Sequence, residues 1–145
     1  MIGNQHDASV AFNDFQLRHT GNVLSFYGSN RMVYLINGVV YKVNNGEIGE
    51  DVNAIEYRNV NTIKLNKGYK FPMTSLYTVN GESVIAMEYI DGTAVAECYC
   101  TADEECDDTC APDDIVSYFD SLGLECGGYN AIINEEAIWI VDAGC

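Results

Sequence analysis

A lysine and a glutamate are the residues whose types and spacing most directly suggest chemistry. Lys42 ends a run of strand-forming residues, and Glu56 falls on the apolar stripe of a helix expected after it. A carboxylate on a stripe that faces the core is costly to bury unless a cation pairs with it, and Lys42 is the nearest basic residue before Glu56. The sequence therefore predicts a Lys42–Glu56 ion pair. The alternative is two unrelated surface charges.

A second group of residues could bind a metal. Cys98, Cys100, Cys106 and Cys110 lie within 13 residues. Thiolates at short spacings can form the tetrahedral set that Zn²⁺ prefers, although this spacing is not that of paired Cys-x-x-Cys knuckles. Three interpretations stay open, namely a structural zinc site, disulfides, and loop thiols with no special role.

Two hairpins and an intervening helix would position the Lys42–Glu56 pair. Asn37-Gly38 and Asn80-Gly81 each separate two strand-like runs, and Asn-Gly favours the tight turn that needs positive φ at both residues. Residues 50–65 between the hairpins have apolar residues at helical spacing. The predicted strands of this region are 23–27, 32–36, 39–43, 76–79 and 83–87.

The two ends of the chain add further elements. Residues 7–19 are predicted to form a helix, and residues 97–112 an acidic, cysteine-rich loop. Pro112 and the acids after it favour a helix start, and Gly123 favours its end. Two short strands, 130–133 and 137–141, should follow. Helices and hairpins are mixed and do not alternate as βαβ units, which predicts an α+β fold.

The charge is distributed very unevenly. The chain has a net charge of −15; residues 1–70 hold all seven Lys and Arg with six acids, whereas residues 71–145 hold 16 acids and neither Lys nor Arg. Phosphate contacts depend on Lys and Arg, so the second half is unsuited to nucleic acid or an anionic membrane. Its charge fits a basic protein partner instead.

The sequence also bears on location. The first residues have neither the positive start nor the apolar stretch of a signal peptide, and no apolar run approaches about 18 residues. We therefore expect a cytoplasmic protein, in which cysteines are reduced or bind metal.

The order of the first elements resembles the small lobe of the small, divergent protein-kinase-like proteins of bacteria and phages. The segments that carry the resemblance are Gly-Ser-Asn-Arg-Met-Val-Tyr at 28–34, Asn-Gly-Val-Val-Tyr-Lys-Val at 37–43 and Asn-Ala-Ile-Glu-Tyr at 53–57. The resemblance implies that Gly28 and Ser29 cover the phosphates of a nucleotide, that Lys42 pairs with its α and β phosphates, and that Glu56 holds Lys42.

The segment at 87–92, Met-Glu-Tyr-Ile-Asp-Gly, is similar to the family's gatekeeper and hinge. The resemblance implies that Met87 backs the adenine pocket and that the backbone from Glu88 to Ile90 hydrogen-bonds the base. These residues complete the predicted ATP-binding part of the chain.

The last part resembles a kinase-like catalytic loop and metal-binding motif. Glu125 falls in the position of the catalytic base, and Asn130 and Asp142 fall in those of the Mg²⁺ ligands, where oxygen donors suit the ion. Gly123 replaces the usual His, and no Lys follows in the loop.

The chain ends at residue 145, shortly after this motif, so we expect only a remnant of the large lobe. The predicted division is an N-terminal helical segment (1–22), a small lobe (23–96), the acidic loop (97–112) and a minimal large lobe (113–145).

Two functions follow from the resemblance. The first is a kinase-like protein that binds ATP and Mg²⁺, and that is a minimal phosphotransferase if it is active. The alternative is a catalytically impaired pseudokinase, a phage-encoded acidic effector that binds and modulates a host protein.

Overall fold

The fold is α+β, as predicted, with three helices and two sheets in the part of the chain that can be described. The computed structural model describes residues 1–17, 31–44, 51–96, 110–124 and 130–144. The elements in chain order are α1 (Gln5–Gln16), β1 (Arg31–Ile36), β2 (Val39–Asn44), α2 (Val52–Thr62), β3 (Tyr69–Lys70), β4 (Thr74–Val79), β5 (Glu82–Glu88), β6 (Thr93–Val95), α3 (Asp113–Leu122), β7 (Ala131–Ile133) and β8 (Ile138–Ile140).

The first sheet is built from the two predicted hairpins. Its strand order is β1-β2-β5-β4, and all its pairs are antiparallel. Asn37 and Gly38, and likewise Asn80 and Gly81, have positive φ, which is the conformation their sequence predicts. The predicted strand at 23–27 lies outside the described residues.

Helix α1 covers one face of this sheet. The Asn4 side chain accepts a hydrogen bond from the Asp7 backbone N–H and caps its first turn. Ala8, Ala11 and Phe12 are buried against apolar residues of the sheet. The helix begins two residues before its predicted start, because Asn4 is the capping residue.

The second sheet has the order β3-β8-β7-β6 and includes two short strands that the sequence analysis missed, β3 and β6. Helix α3 packs on it through Ile115 and Phe119, begins after Pro112 and ends at Gly123 in the left-handed conformation. These bounds agree with the start predicted at Pro112 and the end predicted at Gly123.

An apolar cluster joins the two sheets. Val33, Val40 and Met87 from the first sheet pack with Ile132 and Trp139 from the second. The two sheets therefore share one apolar core. No helix among the described residues is both long and apolar enough to cross a membrane.

Helix α2 differs from the prediction in which face it buries. The expected apolar stripe at Val52 and Val60 is only half-buried, whereas Asn53, Glu56 and Asn59 are buried. Those three residues, spaced by three, form one polar row along the helix. The helix packs on β2, β4 and β5, so the polar row faces the interior and needs partners there.

Candidate functional site

The structure brings Lys42 and Glu56 together in the interior. Lys42 Nζ lies 2.7 Å from Glu56 Oε1, and both side chains are completely buried. Strand β2 sets the direction of Lys42, because alternate residues share a face and Val40 on that face joins the core between the sheets. Lys42 Nζ also donates to the backbone carbonyl of Val141, at 2.6 Å.

Arg31 belongs to a charge network that has four members within the described ranges. Its Nη1 donates to Glu56 Oε1 at 2.6 Å, and its Nη2 donates to Asp142 Oδ1 at 2.8 Å. Arg31, Lys42, Glu56 and Asp142 come from four separate segments of the chain, and each is at most 5% exposed. Two positive and two negative groups are thus buried together, and formally their charges cancel.

The segment that carries Asp142 is held by backbone contacts as well. Glu56 Oε2 accepts from the backbone N–H of Ala143 at 2.6 Å, and Asn59 Nδ2 donates to the Ala143 carbonyl at 2.8 Å. With the Lys42 bond to Val141 and the Arg31 bond to Asp142, four side chains fix three consecutive residues. The polar row of α2 thus has partners in this segment.

Asn53 links the helix to both the sheet and the network. Its Nδ2 donates to the carbonyls of Lys42 and Ser83, at 2.8 and 3.0 Å, and its Oδ1 accepts from Arg31 Nη1 at 3.1 Å. The amide therefore fixes how α2 sits on the sheet and also where the guanidinium lies.

Burial and pairing shift the pKa values in this network. Burial lowers the pKa of Lys42 to about 8, although Glu56 works in the opposite direction. Burial acts to raise the pKa of Glu56, but the charges of Lys42 and Arg31 hold it below its usual value. Burial raises the pKa of Asp142, and the nearby Arg31 offsets this only in part. Glu56 is therefore the more firmly ionised of the two carboxyl groups.

The residues predicted to bind the base lie in or beside the apolar core that the two sheets share. Met87 is completely buried and packs with Val33, Val40 and Trp139. The backbone N–H of Glu88 donates to the Met73 carbonyl at 2.9 Å, so that donor is already used within the fold. Ile90 is buried in the same cluster as Met87.

The predicted Mg²⁺ ligands both adjoin the β7–β8 pair. Asn130 comes directly before β7 and Asp142 lies two residues after β8, and the pairing puts Ala131 opposite Ile140. Asn130 is half-buried and makes no hydrogen bond to the charge network among the described residues. Asp142 has the right donor atoms for Mg²⁺, but its Oδ1 already accepts from Arg31 and from Gly144 N. The Arg31 guanidinium therefore already pairs with one of the two predicted Mg²⁺ ligands.

Several predicted site residues fall outside the described ranges. These are Gly28, Ser29, Glu125, Cys98, Cys100 and Cys106. Cys110 is described; it is half-buried and forms an isolated backbone bridge with Ala96. Over the described residues, no three His, Cys, Asp or Glu side chains are arranged to hold a metal ion.

Sequence reasoning missed Arg31 and the two asparagines of α2. Arg31 is the first residue of β1 and pairs with Asn44 at the far end of the hairpin, so it lies on no apolar pattern. The one available signal was the spacing of Asn53, Glu56 and Asn59, three polar residues on one side of a helix. That pattern is typical of an exposed face, and only the interior partners show otherwise.

Removing the charge of Glu56 should destabilise the protein strongly. Glu56→Gln keeps the shape but leaves Lys42 and Arg31 with one buried carboxylate between them, so we expect a loss of about 3–5 kcal/mol in the free energy of unfolding by urea titration. Glu136→Gln is the matched control, because Glu136 pairs with Lys70 at 2.8 Å on the surface. The loss in the free energy of unfolding caused by Glu136→Gln should stay below about 1 kcal/mol. Equal losses for the two variants would contradict a buried, charge-balanced network.

The stability contribution of Lys42 should increase with pH. Its pKa is about 8 in the folded protein and 10.5 for an ordinary lysine, so between these values the unfolded chain binds more protons and folding gains stability as pH rises. We expect the free energy of unfolding of the wild type, minus that of Lys42→Met, to grow between pH 7 and 10 by at most about 3 kcal/mol. Urea titrations of both proteins at several pH values measure this difference. A difference that falls or stays constant over the range would refute the shift.

Comparisons with protein-family models, with curated proteins and with solved structures find no match to this chain. The geometry of the charge network is therefore the basis on which a function can be proposed.

Proposed function

We propose that this protein is a kinase-like nucleotide-binding protein in which Lys42 contacts the phosphates and Glu56 positions Lys42. The observation that carries the proposal is the buried network that joins Lys42, Glu56 and Asp142, which are 14 and 86 residues apart in sequence. A lysine held by a helix glutamate, next to an aspartate after a strand pair, is the arrangement that the resemblance implies.

The order of the elements supports the same proposal. A hairpin bearing Lys42 precedes a helix bearing Glu56, a second hairpin ends at Met87 and Glu88, and a third strand pair leads into Asp142. Lys42 on β2, Glu56 on α2 and Asp142 after β8 follow the order that the resemblance implies. The support for the proposal therefore comes from three separate segments and does not depend on a single motif.

One further atom favours an oxyanion ligand. Arg31 Nε is buried and has no hydrogen-bond partner among the described residues. A buried donor without an acceptor is costly, and a phosphate oxygen is an acceptor well matched to a guanidinium. A nucleotide whose phosphates approach Arg31 and Lys42 would supply that acceptor.

The alternative function is a pseudokinase that works by binding a partner. The network supports it, because Lys42 is already paired with Glu56 and Asp142 is already paired with Arg31. The surface supports it as well: Asp113, Asp114 and Glu135 are exposed in a half of the chain that has no Lys or Arg. In this alternative the partner is a basic protein of the host, and the kinase-like core is a scaffold for the acidic surface.

Nucleotide binding can be tested by thermal unfolding and by calorimetric titration. ATP at 100 times its dissociation constant should raise the free energy of unfolding by about 2.7 kcal/mol. Inorganic triphosphate, measured in parallel, separates recognition of the phosphates from recognition of the base. Both ligands should be tested with Mg²⁺ and with EDTA.

Two variants control the experiment. Lys42→Met should abolish the ATP-dependent stabilisation, whereas Lys70→Met, which removes an exposed lysine, should leave it unchanged. If Lys42→Met does not fold, the titration of the wild type still shows whether the protein binds ATP or triphosphate. A wild-type protein that neither ATP nor triphosphate stabilises would contradict nucleotide binding and favour the pseudokinase alternative.

A further inference from the structure

Arg31 lies where a cation is needed between two buried carboxylates. Its guanidinium bridges Glu56 and Asp142 with contacts of 2.6 and 2.8 Å, and its side chain is 1% exposed. Glu56 and Asp142 are 86 residues apart and belong to different elements. Without a positive group between them, their like charges would repel each other in a buried setting.

The position of the guanidinium is built into the fold. Asn53 Oδ1 accepts from Nη1, while Nη2 passes close to Gly144. A side chain at Gly144 would bring its Cβ within 3.1 Å of Nη2 and 2.7 Å of Val52 Cγ1, so a glycine there leaves the space that Arg31 and α2 need. Arg31 is thus held from the helix side and from the Asp142 side.

The charge balance leaves little reason for a third cation. Arg31 and Lys42 already neutralise Glu56 and Asp142, so a divalent ion in the same space would give these four groups and the ion a net charge of about +2. Many of the carboxylate lone pairs are also in use, because three donors reach the Glu56 oxygens and two reach Asp142 Oδ1. Mg²⁺ needs free oxygen lone pairs and near-octahedral room.

We infer that Arg31 is a built-in cation that takes the place of Mg²⁺ at Asp142, so that the wild-type protein binds no divalent ion at this charge network and accepts its ligand there without one. The part of this inference that concerns the ion rests on the described geometry alone. The part that concerns the ligand rests on the proposed nucleotide binding.

Removal of the guanidinium charge should create the metal site that the wild type lacks. Arg31→Gln leaves the cluster one charge negative, so Mg²⁺ or Mn²⁺ at saturation should raise its Tm by about 5 °C or more relative to EDTA at matched ionic strength. The wild type and Arg31→Lys, which keep the positive charge, should show no such rise. Adding Asp142→Asn to Arg31→Gln should remove the effect, which separates the site from weak binding to the acidic surface.

A second measurement keeps the inference testable if Arg31→Gln does not fold. Calorimetric titration measures Mn²⁺ binding to the wild type and to Asp142→Asn. The affinity for Mn²⁺ should be weak and equal in the two proteins. Submillimolar Mn²⁺ binding by the wild type that is lost in Asp142→Asn would overturn the inference.

ATP binding measured in Mg²⁺ and in EDTA distinguishes the proposal of nucleotide binding from the inference that Arg31 replaces Mg²⁺. If ATP binds, its dissociation constant should be equal in Mg²⁺ and in EDTA, and ATP binding that requires Mg²⁺ would also overturn the inference. If ATP does not bind under either condition, nucleotide binding fails, while the Mn²⁺ and Tm measurements still decide whether Arg31 replaces the ion.

Discussion

The burial of four charges at one point is the constraint on which the rest of this structure depends. A single buried charge is very costly, and four are tolerated only when their partners are held within hydrogen-bond distance. Arg31, Lys42, Glu56 and Asp142 meet this condition with contacts of 2.6–2.8 Å. Strand β1, strand β2, helix α2 and the segment after β8 must therefore all be in register before the network can form.

The same constraint explains why the segment after β8 is so firmly held. Val141, Asp142 and Ala143 are all tied to side chains from the other segments of the network or from α2. The joint apolar core reinforces this, because Val141 packs with Val33 and Val40. A ligand that reaches Lys42 must therefore compete with contacts that already stabilise the fold.

Local patterns predicted most of the elements. The two Asn-Gly turns, the Pro112 start and Gly123 end of α3, and the strand pair at the C-terminal end all have short-range causes, so the sequence alone was enough. Strands β3 and β6 were missed because they have two and three residues and form only against distant partners. The sequence also indicated that Glu56 needs a cation. It did not indicate Arg31, because an arginine at the start of a strand has no periodicity that would reveal a partner 111 residues away.

The coupling between Arg31 and Asp142 measures most directly whether the buried charge network holds the segment after β8 against β1 and α2. Urea unfolding of the wild type, Arg31→Gln, Asp142→Asn and the double variant gives this coupling as a double-mutant cycle. We expect a coupling free energy of about 2 kcal/mol, with the double variant less destabilised than the sum of the single variants. Additivity within about 0.5 kcal/mol would contradict it, since independent side chains behave in that way.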